Sequence, residues 1–313
     1  MALAAPAGSG LSSGFRILFS KSIFNKDTVD FAALEIFSTV AAEGNVTRAA
    51  ERLQRAQSNV STRLQQLEEE LGATLFLREG RRMALTPAGQ SLLDYAGRLL
   101  ALAEEARQAV RPDQPGGRLR LGAMESTAAS RLPGPLARLH GRWPEVVLEL
   151  STAPSRQLVE RIRSHALDCA LLAWPPPGLG EDASDLEVTP FFREALLLAL
   201  PAGHPDVAGP DDLQVDTLAA FATGCTYRRI GETWMTRAGA PPRILELASY
   251  HAILACVAAG RCAGVVPRSL LELMREPPPL RLVPLQSCDI VLVQRRGYRC
   301  AALDALRELL ASS

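Results

Sequence analysis

Residues 49–72 read AAERLQRAQSNVSTRLQQLEEELG. Val60, Leu64, Leu67 and Leu71 recur at i, i+4, i+7 and i+11, the apolar stripe of an amphipathic helix. Gly72 stands where such a helix ends in the left-handed conformation. Away from the stripe lie Gln57, Ser58, Asn59, Ser61 and Thr62, with Gln66 further along. Their hydroxyl and amide groups suit hydrogen bonds to base edges in a major groove. Arg48, Arg55, Arg63, Arg81 and Arg82 surround that face and suit phosphate contacts. By residue chemistry alone, a solvated polar face on a helical unit that never meets DNA is the alternative.

Upstream, helical periodicity begins near Thr28, with Phe31, Leu34, Phe37 and Ala41 on one face. Gly44-Asn45 stops that helix, and Asn45 can cap a short second one carrying Val46, Ala49, Ala50 and Leu53. Downstream, Leu75-Phe76, a turn at Glu79–Arg82 and Met83–Thr86 read as strand, turn, strand. Three helices and such a wing make a winged helix-turn-helix over residues 27–86. Thr86-Pro87 then opens a helix reaching about Val110, assigned with its end to residues 87–113. Leu92, Leu93, Ala96, Leu99, Leu100, Ala103 and Ala106 give it a near-heptad seam, which calls for a partner, read as a second copy in a dimer with packing on its own chain as the alternative. Arg111–Gly117 reads as a linker.

Beyond the linker the pattern becomes alternating strands and helices. Strands are expected at Leu119–Ala123, Val146–Leu150, Cys169–Ala173, Ala195–Leu200, Ala219–Thr223, Ile244–Leu247, Val265-Val266 and Asp289–Gln294. Helices are expected at Thr127–Arg142, Ser155–Ser164, Ile230–Ala238, His251–Ala259, Ser269–Met274 and Ala301–Leu310. Repeated βα units imply parallel strands covered by helices. The break at Pro175-Pro176-Pro177 divides residues 118–313 into two α/β lobes, one of residues 118–176 and 297–313, the other of residues 186–290.

Bulk properties narrow the function classes. The 313 residues carry 34 Lys+Arg against 34 Asp+Glu, so any affinity for nucleic acid has to be local. No apolar run approaches the ~20 residues of a membrane span, and no membrane partner is expected. Residues 1–26 read as a disordered extension or an upstream start, and the protein as cytoplasmic. The six cysteines are Cys169, Cys225, Cys256, Cys262, Cys288 and Cys300, without C-x-x-C spacing. They read as reduced, buried thiols, with a redox sensor as the alternative. No metal site and no cofactor is expected. No P-loop and no G-x-G-x-x-G occurs, and His140, His165, His204 and His251 are scattered, which gives no footing for an enzyme.

Several motifs together resemble the signature of LysR-type transcriptional regulators. They are Ala49-Ala50-Glu51-Arg52-Leu53, Gln57-Ser58-Asn59-Val60-Ser61, Leu67-Glu68-Glu69-Glu70-Leu71-Gly72, Leu75-Phe76-Leu77-Arg78 and Leu85-Thr86-Pro87-Ala88-Gly89. The spacing matches over about 60 residues. The resemblance implies a homodimer or homotetramer on double-stranded promoter DNA, contacting RNA polymerase if it activates. It assigns groove contacts to Gln57, Ser58 and Ser61, with Arg81 of the wing in the minor groove or on phosphate. Two positions depart from the family. Ala56 stands where Ser usually caps the reading helix, a loss of roughly 1 kcal/mol unless the helix starts at Ser58. Thr62 stands where Arg is frequent, and the Arg comes at Arg63.

The resemblance extends to a C-terminal domain like that of periplasmic solute-binding proteins, with a small-molecule effector between two α/β lobes. Ligands in such folds sit beyond the carboxyl ends of strands, at helix N-termini. That rule selects Glu125-Ser126-Thr127, Thr152, Gly224-Cys225-Thr226, Ser249-Tyr250-His251 and Val266-Pro267. Helix capping is the alternative role for the hydroxyl residues. Glu125-Ser126-Thr127-Ala128-Ala129, Cys225-Thr226-Tyr227-Arg228-Arg229 and Ser249-Tyr250-His251 also resemble the LysR-type regulators of putrescine utilisation. That implies an effector from polyamine breakdown, with Glu125 for an ammonium and Arg228 or Arg229 for a carboxylate.

Overall fold

In the computed structural model, residues 30–79, 82–110, 115–180 and 183–312 are described. The expected extension of residues 1–26, Arg81 and residues 111–113 of the linker lie outside them. The chain divides into two compact units at Ala96/Gly97.

The first unit begins with α1 (Phe31–Glu43), α2 (Val46–Arg52) and α3 (Gln57–Leu71). Asp30 caps α1, its Oδ1 accepting from the Ala33 N–H at 2.6 Å. Gly44 closes α1 at φ 58°, a conformation that costs a side-chain-bearing residue more. Asn45 then caps α2, accepting from the N–H groups of Thr47 and Arg48. Leu34, Ile36, Phe37 and Val40 from α1 meet Ala49 and Ala50 from α2 and Val60, Leu64 and Leu67 from α3 in a closed core. The wing strands β1 (Phe76–Glu79) and β2 (Arg82–Leu85) pair antiparallel, Phe76 opposite Leu85. Phe76 also packs on Phe37, ring centroids 5.3 Å apart.

Three polar links fix the wing to the helices. Glu68 Oε1 on α3 accepts from the N–H groups of Leu75 and Phe76 at 2.7 and 3.2 Å. The Met83 N–H donates to the Gly44 carbonyl, and the Thr86 hydroxyl donates to the Thr74 carbonyl at 2.7 Å. That hydroxyl oxygen also accepts from the Gly89 N–H, so Thr86 caps α4 (Pro87–Ala109). Gly89 is needed for contact rather than conformation. A Cβ there would lie 2.1 Å from the Leu75 carbonyl oxygen.

The second unit holds one eight-stranded sheet in the order β4-β3-β5-β10-β6-β9-β7-β8. Its strands are β3 (Gly117–Ala123), β4 (Val146–Thr152), β5 (Cys169–Trp174), β6 (Leu186–Pro201), β7 (Thr217–Ala220), β8 (Arg243–Glu246), β9 (Ala263–Pro267) and β10 (Leu280–Arg295). Two parallel triplets, β4-β3-β5 and β9-β7-β8, flank a central antiparallel pair, β10 and β6. The helices are α5 (Glu125–Ser130), α6 (Pro133–Arg142), α7 (Ser155–Arg163), α8 (Thr226–Met235), α9 (Tyr250–Ala258), α10 (Arg268–Leu273) and α11 (Ala301–Ala311). The core is the apolar layer between sheet and helices, led by Leu119, Leu121, Leu171, Leu198, Leu218, Val266 and Leu292.

Two expectations are corrected here. The strands are not all parallel. Each of β6 and β10 is 16 residues long and runs through both halves of the sheet, where shorter strands are expected from sequence. Both contain a proline, Pro190 and Pro284, and the β6–β10 register shifts at Ile290/Val291 and between Pro284 and Ser287. Proline at a bulge hides a continuous strand from a pattern reading. The expected helix Thr127–Arg142 is instead two, because Pro133 cannot donate to the preceding turn and starts α6 afresh.

Candidate DNA-reading face and effector crevice

On α3 the polar edge is open. Gln57, Ser58, Asn59, Thr62 and Arg63 are exposed, whereas Ser61 is half-buried toward the helical core. Gln57 Oε1 accepts from the Thr47 hydroxyl at 3.3 Å, which steadies it at the α2–α3 corner. Arg63 is not a bare cation, since its Nη2 lies 3.4 Å from Asp30 Oδ2. Arg48 donates to the Glu43 carbonyl, and Arg82 is exposed at the start of β2. Ala56 occupies the cap position of α3 in extended backbone with no side-chain hydrogen bond, so the helix starts at Gln57 and does not slip to Ser58.

In the second unit a cavity of about 360 Å³ opens where four parallel strands end. Met124, Glu125 and Ser126 follow β3, and Thr152, Ala153 and Pro154 end or follow β4. Phe221, Ala222 and Cys225 follow β7, and Glu246, Leu247 and Ala248 end or follow β8. Tyr227 of α8 and Tyr250 of α9 complete the lining. Each half of the sheet therefore supplies two strand ends, as expected of a ligand crevice in an α/β fold.

Two polar atoms of the lining lack a well-formed hydrogen bond. Glu125 Oε2 and the Tyr227 hydroxyl are both buried with no hydrogen bond among the described residues. Burial is the strongest influence on Glu125 and pushes its carboxyl above the ordinary glutamate range. Nearby His251 and the Tyr250 N–H pull it part of the way back. Burial likewise pushes the Tyr227 and Tyr250 hydroxyls well above the ordinary range, so both are neutral donors. Phe221 meets Tyr250 edge-on, centroids 4.9 Å apart, giving one wall an aromatic face.

Of the positions selected from sequence, Glu125, Ser126, Thr152, Cys225 and Tyr250 line the cavity. The others serve its frame. Thr127 is buried on the inner side of α5, and Thr226 is buried with its hydroxyl aimed at the Ala173 carbonyl, 3.4 Å away. Gly224 lets the chain turn at φ 97°, close to the Arg156 side chain. Ser249 caps α9, and His251 is exposed beside Glu125. Val266 and Pro267 end β9, which runs between β6 and β7; both are buried and neither is in the cavity lining. Arg228 pairs with Glu232 and Glu246 at 2.8 and 2.9 Å and donates to the Phe221 carbonyl. Arg229 is exposed elsewhere, beside Trp234 and Leu285.

Sequence reasoning missed the other lining residues, among them Phe221, Tyr227, Glu246 and Leu247. The same strand-end rule finds three of them once β7 and β8 are ended at Ala220 and Glu246 instead of the expected Thr223 and Leu247. Tyr227 has only its place in the first turn of α8 as a signal.

Burial pushes the Cys169 and Cys225 thiols up, and those of Cys262 and Cys288 up to about 11, so none of these four is a thiolate at neutral pH. Among the described residues no group of three or more His, Cys, Asp or Glu is placed to hold a metal ion. No helix there is long and apolar enough to cross a membrane.

At the far end of α5 a second polar cluster joins the two halves of the sheet. Glu194 lies at the crossover of β6 and is buried. It accepts from the Ser269 N–H at 3.1 Å, the Ser269 hydroxyl at 2.7 Å and Arg131 Nη2 at 3.2 Å. Ser130 Oγ lies 3.2 Å from Ser269 Oγ. Thus α5 has its first residues in the crevice and its last beside this cluster.

Comparison with known proteins settles the family. Residues 31–90 match the bacterial regulatory helix-turn-helix protein, lysR family, and residues 112–313 match the LysR substrate binding domain. The chain belongs to the LysR family of transcriptional regulators. It is 37% identical over 254 residues to the uncharacterized HTH-type transcriptional regulator YusT of Bacillus subtilis, covering 80% of this chain and 83% of that one. It is 36% identical to the HTH-type transcriptional regulator GltR of the same organism, covering 76% and 79%. Its fold resembles full-length OxyR from Pseudomonas aeruginosa, with a TM-score of 0.66, 23% identity and 91% and 98% coverage. It also resembles full-length CbnR in complex with its target DNA, with a TM-score of 0.64, 24% identity and 91% and 99% coverage. This LysR-family chain is a DNA-binding transcription regulator with an effector-binding domain, and not an enzyme.

Proposed function

We propose that the crevice formed by Met124–Ser126, Thr152–Pro154, Phe221–Cys225 and Glu246–Tyr250 receives the effector, a small metabolite of polyamine breakdown. The observation that carries this reading is the cavity at four strand ends with two unpartnered polar groups, Glu125 Oε2 and the Tyr227 hydroxyl. A buried polar group without a partner is costly, and a ligand that supplies one gains accordingly. Effector binding changes the balance between two arrangements of the protein on DNA by its different affinity for each.

In this reading Gln57, Ser58 and Ser61 contact bases, with Asn59 and Thr62 beside them. Arg48, Arg63, Arg81 and Arg82 serve the phosphates. The regulator works in the cytoplasm as a dimer or tetramer built on the α4 seam, and contacts RNA polymerase where it activates. Footprinting of its own upstream region, at fixed salt and with and without putrescine-pathway metabolites, tests the reading. Protection that changes with a metabolite is expected. The absence of any protected site, or one lost equally from all sequences when Gln57 and Ser61 are changed to Ala, counts against it.

A further inference from the structure

We propose that the crevice selects a small primary ammonium with an apolar body and discriminates against simple carboxylates. This rests on the crevice being the effector site and narrows what enters it.

The charges that line the space decide the sign. Among the described lining residues, Glu125 and Glu246 are acidic and none is Lys or Arg. Glu246 is already neutralised by Arg228, which lies 2.9 Å away and is itself shared with Glu232. That leaves Glu125 as the carboxylate without an ion-pair partner in the lining, with Oε2 buried and accepting nothing. A carboxylate ligand would face this group with no Lys or Arg in the lining to meet it, and would lose its water as well. An ammonium brings three N–H donors and the opposite charge.

The rest of the wall fits the same ligand. The Tyr227 side chain is only 3% exposed, and its unpartnered oxygen can accept an N–H or donate to a second polar group. Phe221, Tyr227 and Tyr250 present ring surface, which attracts a cation and packs a short alkyl chain. A volume of about 360 Å³ sits at the small end for ligand pockets.

Isothermal titration of the full chain with butylamine, 1,4-diaminobutane and butanoate tests this. Both amines are expected to bind, and butanoate to give no heat. E125Q is expected to weaken the amines roughly 10- to 100-fold, as loss of a charge-assisted hydrogen bond does. Y227F is expected to weaken them several-fold with the fold intact. Ala222→Phe, which fills the crevice, is expected to abolish binding. Butanoate binding that A222F abolishes and E125Q leaves unchanged would overturn the ammonium assignment while keeping the crevice as the effector site. Amine binding that survives A222F would overturn both. Silence from both amines at millimolar concentration would overturn the ammonium assignment.

Discussion

Ala56 holds extended backbone at φ −65° and ψ 139° ahead of α3, yet it offers no side-chain oxygen to the free N–H groups of the first turn. Asn45 and Asp30 do this for α2 and α1. Ala56→Ser is therefore expected to stabilise the first unit by about 1 kcal/mol, read as a raised urea midpoint at unchanged slope. No change would mean that the first-turn N–H groups are satisfied another way. Glu125 carries the opposite kind of deficit. Its folded-state pKa is raised, chiefly by burial, so its contribution to stability is fully present below the ordinary glutamate range and is lost as pH rises through the folded value. Without ligand, E125Q should thus be more stable than the natural chain at pH 7, and the difference should shrink toward pH 4. Urea unfolding at the two pH values checks this, and a difference independent of pH would refute it.

At the scale of elements, α5 is six residues long, and its two ends do different work. The first turn places Glu125 and Ser126 in the crevice, and beyond its last turn Arg131 meets Glu194. Removing the Glu194 carboxylate leaves the Ser269 N–H and hydroxyl and the Arg131 guanidinium with lost partners. Glu194→Ala is expected to destabilise the second unit by about 1–3 kcal/mol, read by thermal unfolding of that transition. An unchanged midpoint would show that water replaces the carboxylate. None of this cluster is legible in the sequence, because Arg131, Glu194 and Ser269 are brought together only by the crossover of β6. The helices of the first unit are legible, since Gly44, Asn45 and Gly72 mark their ends locally and Val60, Leu64 and Leu67 mark their inner face. The parallel strands are legible as short apolar runs, and part of the crevice follows from reading what stands after them. The long central strands and the split at Pro133 are not. In β6 and β10 proline interrupts the alternation that pairing across the sheet then overrides, and at Pro133 the apolar spacing continues through a break that the backbone imposes.

On the scale of the whole molecule, the balance of 34 basic and 34 acidic residues leaves no general attraction to DNA, so affinity has to come from a few arginines used more than once. Two copies reading two half-sites would supply that, because the second contact becomes intramolecular. The pairing proposed for α4 falls on a face where Tyr95, Leu99 and Leu102 are 61%, 44% and 52% exposed and follow one another at i, i+4 and i+7; of the seam expected from sequence it shares Leu99, whereas Ala96 is buried. Large apolar side chains at that spacing on a 23-residue helix form a continuous seam, the kind a second helix covers. Charges placed there need not disturb the folded chain, because neither leucine is buried within it. Leu99→Glu combined with Leu102→Glu is expected to give a folded monomer in sedimentation velocity. Its promoter affinity should fall roughly 100-fold or more at fixed salt, while the heat of effector binding stays the same. A double variant that still sediments as a dimer would place the pairing surface elsewhere. A monomer that held its promoter as tightly as the natural chain would show that one reading head suffices and that the seam has another purpose.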